Sequence, residues 1–254
     1  MTTNGGTPTS CSAWPWFCRL RGAVGAAADG LVAVLYPFEC VSCGRSLPAR
    51  GILCEACVPE PAEGGEDRCS VCGAPVADRL IDLCLVCGTR ERGFDRLVAL
   101  GSYDGCWGEL VRKLKFEREI AVGRWLSEQL AEAARRASIE DDLDVVTYVP
   151  MTPGERRRRG FNQAQVLARG VAAELGLPLR RSLVKRRRTR PQTMLPAKER
   201  RGNLQDAFRA VPSKCARALL IDDISTTGST AEECARALRQ AGFSSVRVLV
   251  VARA

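Results

Sequence analysis

The 254-residue sequence predicts an α/β protein in which a mainly parallel sheet, with helices on both faces, is preceded by a small cysteine-rich module. Eight of the thirteen cysteines form C-x-x-C pairs between residues 40 and 87. After residue 93, short apolar runs alternate with amphipathic helix patterns, which is typical of a parallel sheet covered on both faces. A chain of this length with 46% hydrophobic residues can bury one good core and leave material for a smaller module.

Composition divides the chain into three parts. The first ten residues, MTTNGGTPTS, are polar and contain Gly and Pro, and a disordered tail is predicted over residues 1–20. Residues 21–92 are predicted to hold an N-terminal helix and the cysteine-rich module, and residues 93–254 the α/β domain. No run of about 18 uncharged apolar residues occurs, so the sequence predicts no membrane span. The apolar stretch from Gly22 lacks a small-residue cleavage site and leads straight into paired cysteines, so we expect a cytoplasmic protein.

The paired cysteines are predicted metal ligands. They are Cys40, Cys43, Cys54, Cys57, Cys69, Cys72, Cys84 and Cys87. Their spacing is typical of tetrahedral zinc sites with four thiolates, and the segment lacks the βαβ pattern that accompanies a redox C-x-x-C. The chain contains no histidine, which excludes imidazole ligands. We therefore expect two structural zinc ions.

An internal repeat favours two zinc ribbons in series. CVSCGRSLP from Cys40 is echoed by CSVCGAPV from Cys69, and each is followed by another C-x-x-C pair. Because the pairs recur at nearly even intervals, an interleaved arrangement would use the same residues, and the sequence leaves both pairings open. A glycine follows the second cysteine of three pairs (Gly44, Gly73, Gly88), where a tight turn can direct backbone amides toward sulfur.

The elements of the α/β domain follow from hydrophobic periodicity. Strands are predicted from Leu97 (LVALGSY), Leu143 (LDVVTYVP), Ala216 (ARALLID) and Ser245 (SVRVLVVAR). Helices are predicted from Gly105 (GCWGELVRKLKFE), Ala121 (AVGRWLSEQLAEAARRA), Phe161 (FNQAQVLARGVAAELG) and Ser229 (STAEECARALRQAG). The second strand ends at Pro150, and the third helix ends at Gly176, a residue type suited to a helix C-terminus.

The stretch ALLIDDISTTGST, residues 218–230, predicts a binding site. Asp222 and Asp223 end a buried strand, at the point where ligands of open α/β sheets bind. The following residues lead into the next helix and offer hydroxyls and free amides to a phosphate: Thr226, Thr227, Gly228, Ser229 and Thr230. Carboxylates accept hydrogen bonds from sugar hydroxyls or help to hold hydrated Mg²⁺. The pattern indicates a ribose phosphate site, and the alternative is a set of ordinary loop and helix caps.

Charge and missing motifs narrow the ligand class. With 38 Lys and Arg against 29 Asp and Glu, the net charge of +9 favours phosphate-bearing partners. Neither G-x-x-x-x-G-K-[ST] nor G-x-G-x-x-G occurs, so nucleoside triphosphate and dinucleotide sites lose their usual support. Basic clusters at residues 156–159 and 185–188 are predicted phosphate contacts, with a solvated surface as the alternative.

The motif of two acids followed by x-x-T-T-G-x-T resembles the phosphoribosyl pyrophosphate (PRPP) motif of type I phosphoribosyltransferases. The cysteine pairs, RRRRGFNQAQVLARGVA from Arg156, RRRTRPQTMLPAKERRGNLQDAF from Arg186 and this motif occur in the order seen in the ComF family. ComF proteins are phosphoribosyltransferase-like proteins linked to DNA uptake. The chain is similar to them from about residue 38 to its C-terminus.

The resemblance implies a type I phosphoribosyltransferase-like domain that binds PRPP with Mg²⁺ and transfers its phosphoribosyl group to an acceptor that the sequence does not identify. Asp222 and Asp223 would meet the ribose hydroxyls, and residues 226–230 the ribose phosphate. The pyrophosphate loop and a mobile hood over residues 187–201 would supply the remaining substrate and leaving-group contacts: Met151, Thr152 and Arg156 from the loop, and Arg187, Arg188 and Arg190 from the hood.

A second hypothesis is a non-enzymatic protein that binds single-stranded DNA on a transferase scaffold. Its basis is the arginine clusters, beside which Phe161 is the one neighbouring aromatic residue. Zinc ribbons can also contact DNA or dock DNA-handling proteins. A third hypothesis, in which PRPP regulates DNA handling, would combine the two.

Overall fold

The computed structural model describes residues 38–48, 51–59, 68–77, 80–117, 119–186 and 206–254. The chain divides into two compact units, Met1–Cys57 and Val58–Ala254. The first unit holds the first four paired cysteines, and the second holds the other four together with the α/β domain. The predicted domain boundary near residue 93 stays a prediction from composition. The predicted tail over residues 1–20 and the helix that follows it lie outside the described residues.

The described residues contain six strands, named in chain order as β1 (Arg96–Ser102), β2 (Val145–Tyr148), β3 (Leu183–Lys185), β4 (Phe208–Ala210), β5 (Arg217–Ser225) and β6 (Ser245–Arg253). Four of them form a sheet in the order β1-β6-β5-β2, in which every neighbouring pair is parallel. The strands predicted from apolar periodicity are these four. Their apolar runs are almost continuous because both faces of the sheet are covered.

Six α-helices accompany the strands in the described part of the chain: α1 (Leu85–Thr89), α2 (Cys106–Arg112), α3 (Ile120–Arg136), α4 (Pro153–Arg159), α5 (Gln163–Glu174) and α6 (Ser229–Gln240). Helices α3 and α5 pack on one face of the sheet, and α6 packs on the other. Side chains alternate between the faces, so that Leu220 joins the core beneath α6 while Leu219 points away, and both are fully buried. The predicted parallel sheet with helices on both faces is confirmed.

Helices α3 and α5 approach each other closely at Ser127 and Gly170. A Cβ atom at Gly170 would lie 2.4 Å from the Ser127 Cβ, so only glycine fits there. The buried Ser127 hydroxyl donates a hydrogen bond to the Gly123 carbonyl at 2.8 Å, which satisfies it inside the interface. This contact fixes the position of α5, the helix that follows α4.

Three local features differ from the sequence prediction. The helix predicted from Gly105 ends at Arg112 and continues as a π-helical turn, Lys113–Glu117, which contains Lys115. The short helix α4 was not predicted. Strands β3 and β4 pair antiparallel as a hairpin, and with three residues each they are too short for periodicity to show.

The helices of the described residues include none with the length and apolarity that a membrane crossing requires.

Candidate functional site

The eight paired cysteines form two clusters of four. The first cluster consists of Cys40, Cys43, Cys54 and Cys57, and the second cluster of Cys69, Cys72, Cys84 and Cys87. In each cluster the sulfur atoms all lie within 4.8 Å of one another. The Sγ–Sγ distances from Cys43 to Cys54 and from Cys72 to Cys84 are both 3.7 Å. Tetrahedral zinc with Zn–S bonds of about 2.3 Å would separate its thiolates by roughly 3.8 Å. The clusters therefore fit two structural zinc ions, with sequential rather than interleaved pairing.

Backbone geometry at the first knuckle of each cluster favours the thiolate. Gly44 and Gly73 adopt φ values of +72° and +65°, as the predicted tight turns require. Burial alone would raise the pKa of Cys40, but backbone N–H donors at Cys54 and Cys43 outweigh burial and lower the pKa to about 6. A low thiol pKa assists zinc ligation, since zinc binds the deprotonated sulfur. Gly88, the third predicted turn glycine, lies inside α1 instead.

The second cluster is built onto the sheet. Cys69 and Cys72 are 3% and 1% exposed and belong to the same apolar core as Leu97 of β1. The Leu97 N–H donates to the Val71 carbonyl at 2.7 Å. At the end of β6, the Arg253 guanidinium donates to the Cys72 carbonyl at 2.8 Å. Contacts to two strands therefore join this cluster to the α/β domain.

The predicted ribose phosphate residues follow β5: Thr226, Thr227 and Gly228 connect it to α6, and Ser229 and Thr230 begin α6. Strand β5 runs to Ser225, two residues beyond the predicted end at Asp223. Gly228 is the N-cap of α6 and has a φ of +76°, a left-handed conformation that favours glycine. The hydroxyls of Thr227 and Ser229 lie 2.6 Å apart. We call residues 225–230 the phosphate loop, because they turn into the N-terminus of a twelve-residue helix, where a phosphate is favoured.

Asp223 is buried and forms an ion pair. The residue is 7% exposed, and one of its carboxylate oxygens lies 3.0 Å from the Lys115 ammonium. Lys115 belongs to the π-helical turn after α2. Sequence reasoning missed Lys115, because no local pattern tells which lysine of an amphipathic segment will reach a distant strand.

Asp222 lies on the opposite face of β5 from Asp223. It follows Leu220 by two positions and therefore lies on the α6 side of β5. Its carboxylate accepts a hydrogen bond from the Asp223 N–H at 2.9 Å. Burial, together with the neighbouring charge of Asp223, raises the pKa of Asp222 to about 8. This raised pKa favours the protonated carboxyl group near neutral pH, and a cation beside it would favour the ionised form.

The loop after β2 is held by a capping box. The Thr152 hydroxyl accepts from the Glu155 N–H at 3.2 Å, and the Glu155 carboxylate accepts from the Thr152 N–H at 2.7 Å. Glu155 also pairs with Lys185 at 2.8 Å, which lowers the pKa of the glutamate against the opposing effect of burial. The capping box is recognisable in the sequence, since Thr152, Pro153 and Glu155 stand at the required spacing. Lys185 ties the loop to the β3–β4 hairpin.

A cleft of about 410 Å³ opens beside this loop, under α4 and α5. Its lining residues are Tyr148, Pro150, Met151, Pro153, Arg156, Arg157, Gly160, Asn162, Gln165 and Arg181. The described lining contains three arginines and no aspartate or glutamate, so it favours an anion. We call it the arginine cleft. The structure thus brings the predicted Met151 and Arg156 together and adds Arg181, which stands 25 positions later in the sequence.

The three arginines predicted to act on the leaving group, Arg187, Arg188 and Arg190, lie outside the described residues, as does the rest of the predicted hood.

A double zinc ribbon domain family model matches residues 31–89. Competence protein F of Haemophilus influenzae is 32% identical over 228 residues, which cover 86% of this chain and 98% of that protein. The DNA utilization protein YhgH of Salmonella typhimurium is 31% identical, covering 79% and 96%. Competence protein ComFC of Streptococcus pneumoniae is 25% identical, covering 79% and 87%.

Among solved structures, a glutamine PRPP amidotransferase from B. subtilis matches 50% of this chain and 25% of its own, with 25% identity and a TM-score of 0.34. The match to competence protein F extends over most of this chain and nearly all of that protein, and it agrees with the two cysteine clusters that precede a parallel α/β sheet. The chain belongs to the ComF family of competence proteins.

Proposed function

We propose that the chain binds PRPP with Mg²⁺ at the carboxyl end of β5 and transfers the phosphoribosyl group to an acceptor. The observation that carries this proposal is the pairing of two carboxylates with a hydroxyl-rich loop at the N-terminus of α6. The loop offers amides and hydroxyls to the ribose phosphate, and the helix dipole favours its negative charge. Asp222 and Asp223 accept hydrogen bonds from the ribose hydroxyls.

The site also suits the metal that accompanies PRPP. Carboxylate and hydroxyl oxygens are the donors that Mg²⁺ prefers, and Asp222 and Asp223 would be its protein contacts, directly or through water. When bound, Mg²⁺ supplies positive charge against the departing pyrophosphate. Asp222 would give up its proton as the cation approaches, since a neighbouring positive charge lowers a carboxyl pKa.

The chemistry needs no protein nucleophile, which suits a chain without histidine. The bond from the ribose C1′ to the pyrophosphate oxygen breaks, and its electron pair leaves with pyrophosphate. The acceptor forms the new bond to C1′ and loses a proton. Positive charge develops on the sugar in the transition state, so the residues act by orienting PRPP, excluding water and holding the leaving anion. Arg156 and the arginines at positions 187, 188 and 190 are the groups proposed for that anion.

Pyrophosphate release tests the catalytic half of the proposal. Zinc-loaded protein with PRPP and Mg²⁺ is incubated with panels of purine, pyrimidine and amine acceptors. Release that depends on one acceptor, and that is lost when Asp222 and Asp223 are both changed to Asn, supports transfer. Release that continues unchanged in the double variant would assign the activity to another site or a contaminant.

The second candidate function is binding of single-stranded DNA, and the arginine cleft favours it. Three arginines without an acid form a cationic surface, and Tyr148 adds an aromatic ring to its wall. The names of relatives, competence protein and DNA utilization protein, support a role near DNA. Salt-dependent binding of a labelled oligonucleotide tests this function separately from PRPP binding.

A further inference from the structure

Arg92 joins the second cysteine cluster to helix α6. Its side chain is 4% exposed, so it is almost completely enclosed. The Nε atom donates to the Cys87 sulfur at 3.4 Å. On its other side, Nη1 lies 3.5 Å from a carboxylate oxygen of Glu232. One guanidinium therefore contacts a zinc ligand and an acid of the first turn of α6.

Glu232 carries the connection to the phosphate loop. Its second carboxylate oxygen accepts from the Gly93 N–H at 3.0 Å, so both oxygens are used. The Glu232 N–H donates to the Gly228 carbonyl at 2.8 Å. Gly228 itself lies over Arg92, since a Cβ added to the glycine would be 3.7 Å from Arg92 Nη1 and 3.9 Å from the ring of Phe94. The Arg92 guanidinium also lies 5.6 Å from the centre of that ring.

Metal coordination fixes the sulfur atoms that these contacts use. Four thiolates around one Zn²⁺ carry a net charge of about −2, and groups that donate to the sulfurs orient the ligands. Arg92 donates to Cys87, and Arg253 approaches Cys72 with a nitrogen–sulfur distance of 3.8 Å. Zinc would bind all four sulfurs at one point, so without it the Cys87 sulfur that Arg92 contacts is no longer held by the other three ligands. Arg92, on which Gly228 packs, then loses a fixed partner.

We propose that Arg92 and Glu232 are positioning residues that hold the phosphate loop in its binding conformation, and that zinc in the second cluster, but not in the first, is needed for tight PRPP binding. The inference rests on the proposed PRPP function of the loop. The first cluster lacks the equivalent arginine in sequence, because Ala62 stands five residues after Cys57 where Arg92 stands five residues after Cys87.

The internal repeat offers a matched pair of variants in the full chain. Cys57→Ser and Cys87→Ser occupy the same position of their repeats, and each should lower the zinc content by one ion. We expect Cys87→Ser to weaken PRPP binding at least tenfold in calorimetry, and Cys57→Ser to stay within twofold of wild type. Equal affinities in the two variants would overturn the proposal.

Arg92→Gln tests the same link with both zinc sites intact, in case Cys87→Ser does not fold. Its control is Arg90→Gln, because Arg90 also approaches Glu232, at 3.9 Å, but its side chain is 35% exposed. We expect Arg92→Gln to keep two zinc ions, to bind PRPP about five- to tenfold more weakly, and to exchange the amide hydrogens of residues 225–232 faster. Arg90→Gln should match wild type in all three measurements.

The readouts separate the two proposals. If wild type binds no PRPP, the proposed function fails, and the exchange rates of residues 225–232 alone decide whether Arg92 anchors the loop. If wild type binds PRPP while Arg92→Gln matches Arg90→Gln in PRPP affinity and amide hydrogen exchange, Arg92 does not position the loop. The proposed PRPP function then stands. Binding also couples in both directions, so PRPP should slow the loss of one of the two zinc ions to a chelator, and Arg92→Gln should remove that protection.

Discussion

The ammonium of Lys115 lies 3.0 Å from a carboxylate oxygen of Asp223, and their side chains are 15% and 10% exposed. The contact ties the π-helical turn after α2 to the end of β5. The Asp223 carboxylate is thus paired with a cation, whereas burial raises the pKa of its neighbour Asp222. Two adjacent carboxyl groups in different surroundings therefore precede the phosphate loop.

Replacing Lys115 by Met should destabilise the fold strongly. Removing one partner of a buried ion pair leaves the other charge uncompensated, and we expect a loss of about 3 kcal/mol in the free energy of unfolding. Lys113→Met is the control, because Lys113 pairs with the exposed Glu117 at 3.5 Å and should cost less than about 1 kcal/mol. Urea unfolding followed by circular dichroism measures both. Similar losses in the two variants would show that the Lys115–Asp223 pair stabilises the fold no more than an exposed ion pair does.

Replacing Asp222 by Asn should stabilise the ligand-free protein at neutral pH. A carboxyl group whose folded pKa is about 8, against an ordinary value of 3.8, opposes folding once the unfolded chain ionises. This penalty is absent below about pH 4, grows as the pH rises, and is complete above about pH 8. The variant should gain on the order of 3 kcal/mol at pH 7, after allowance for partial exposure to solvent, and little at pH 4. Thermal unfolding of both proteins across this pH range measures the gain in stability. A gain that did not depend on pH would contradict the raised pKa of Asp222.

Zinc stoichiometry tests the sequential pairing. Wild type should carry two zinc ions per chain. Changing Cys43 and Cys54 together to Ser should remove one ion, because both sulfurs serve the first cluster. Changing Cys43 and Cys72 together should remove both, because each cluster then loses a ligand. Metal analysis of purified protein gives the counts, and a reversed result would indicate interleaved sites.

The arginine cleft gives the DNA hypothesis a measurable form. If the cleft holds phosphates, changing Arg156 and Arg157 together to Gln should weaken binding of a single-stranded oligonucleotide and reduce the slope of log affinity against log salt by about 1.4, roughly 0.7 for each lost phosphate contact. Arg124→Gln, an exposed change on α3, is the control and should change neither quantity by more than a small fraction. An unchanged slope in the double variant would show that Arg156 and Arg157 are ordinary solvated surface residues.

Sequence reasoning predicted the parts of the fold that depend on local pattern. The four parallel strands were readable because each is an apolar run between turn signals, as in β5, where Ala218 to Ile221 are fully buried. The eight zinc ligands were readable because cysteine spacing reflects local knuckle geometry. The pairing of the clusters needed the structure, since nearly even intervals fit two arrangements.

Contacts between distant segments were not predictable from the sequence. Lys115 and Asp223 are separated by more than a hundred residues, and so are Arg92 and Glu232. Nothing in either local pattern marks its partner, because each contact depends on how helices and strands pack. The β3–β4 hairpin was missed for a different reason, since its strands are short and flank a segment interpreted as a hood. The capping box at Thr152 and Glu155 could have been predicted, and with it the start of α4.

Calorimetric titration of PRPP with Mg²⁺ into the zinc-loaded protein tests the central proposal most directly. Wild type is compared with a variant in which Asp222 and Asp223 are both Asn, and with a control in which the exposed neighbours Asp141 and Asp142 are both Asn. We predict binding by wild type and the control, and no binding by the Asp222 and Asp223 variant, with two zinc ions and a folded circular dichroism spectrum in all three. Equal binding by all three proteins, or none by wild type, would contradict the assignment of β5 and the phosphate loop as the PRPP site.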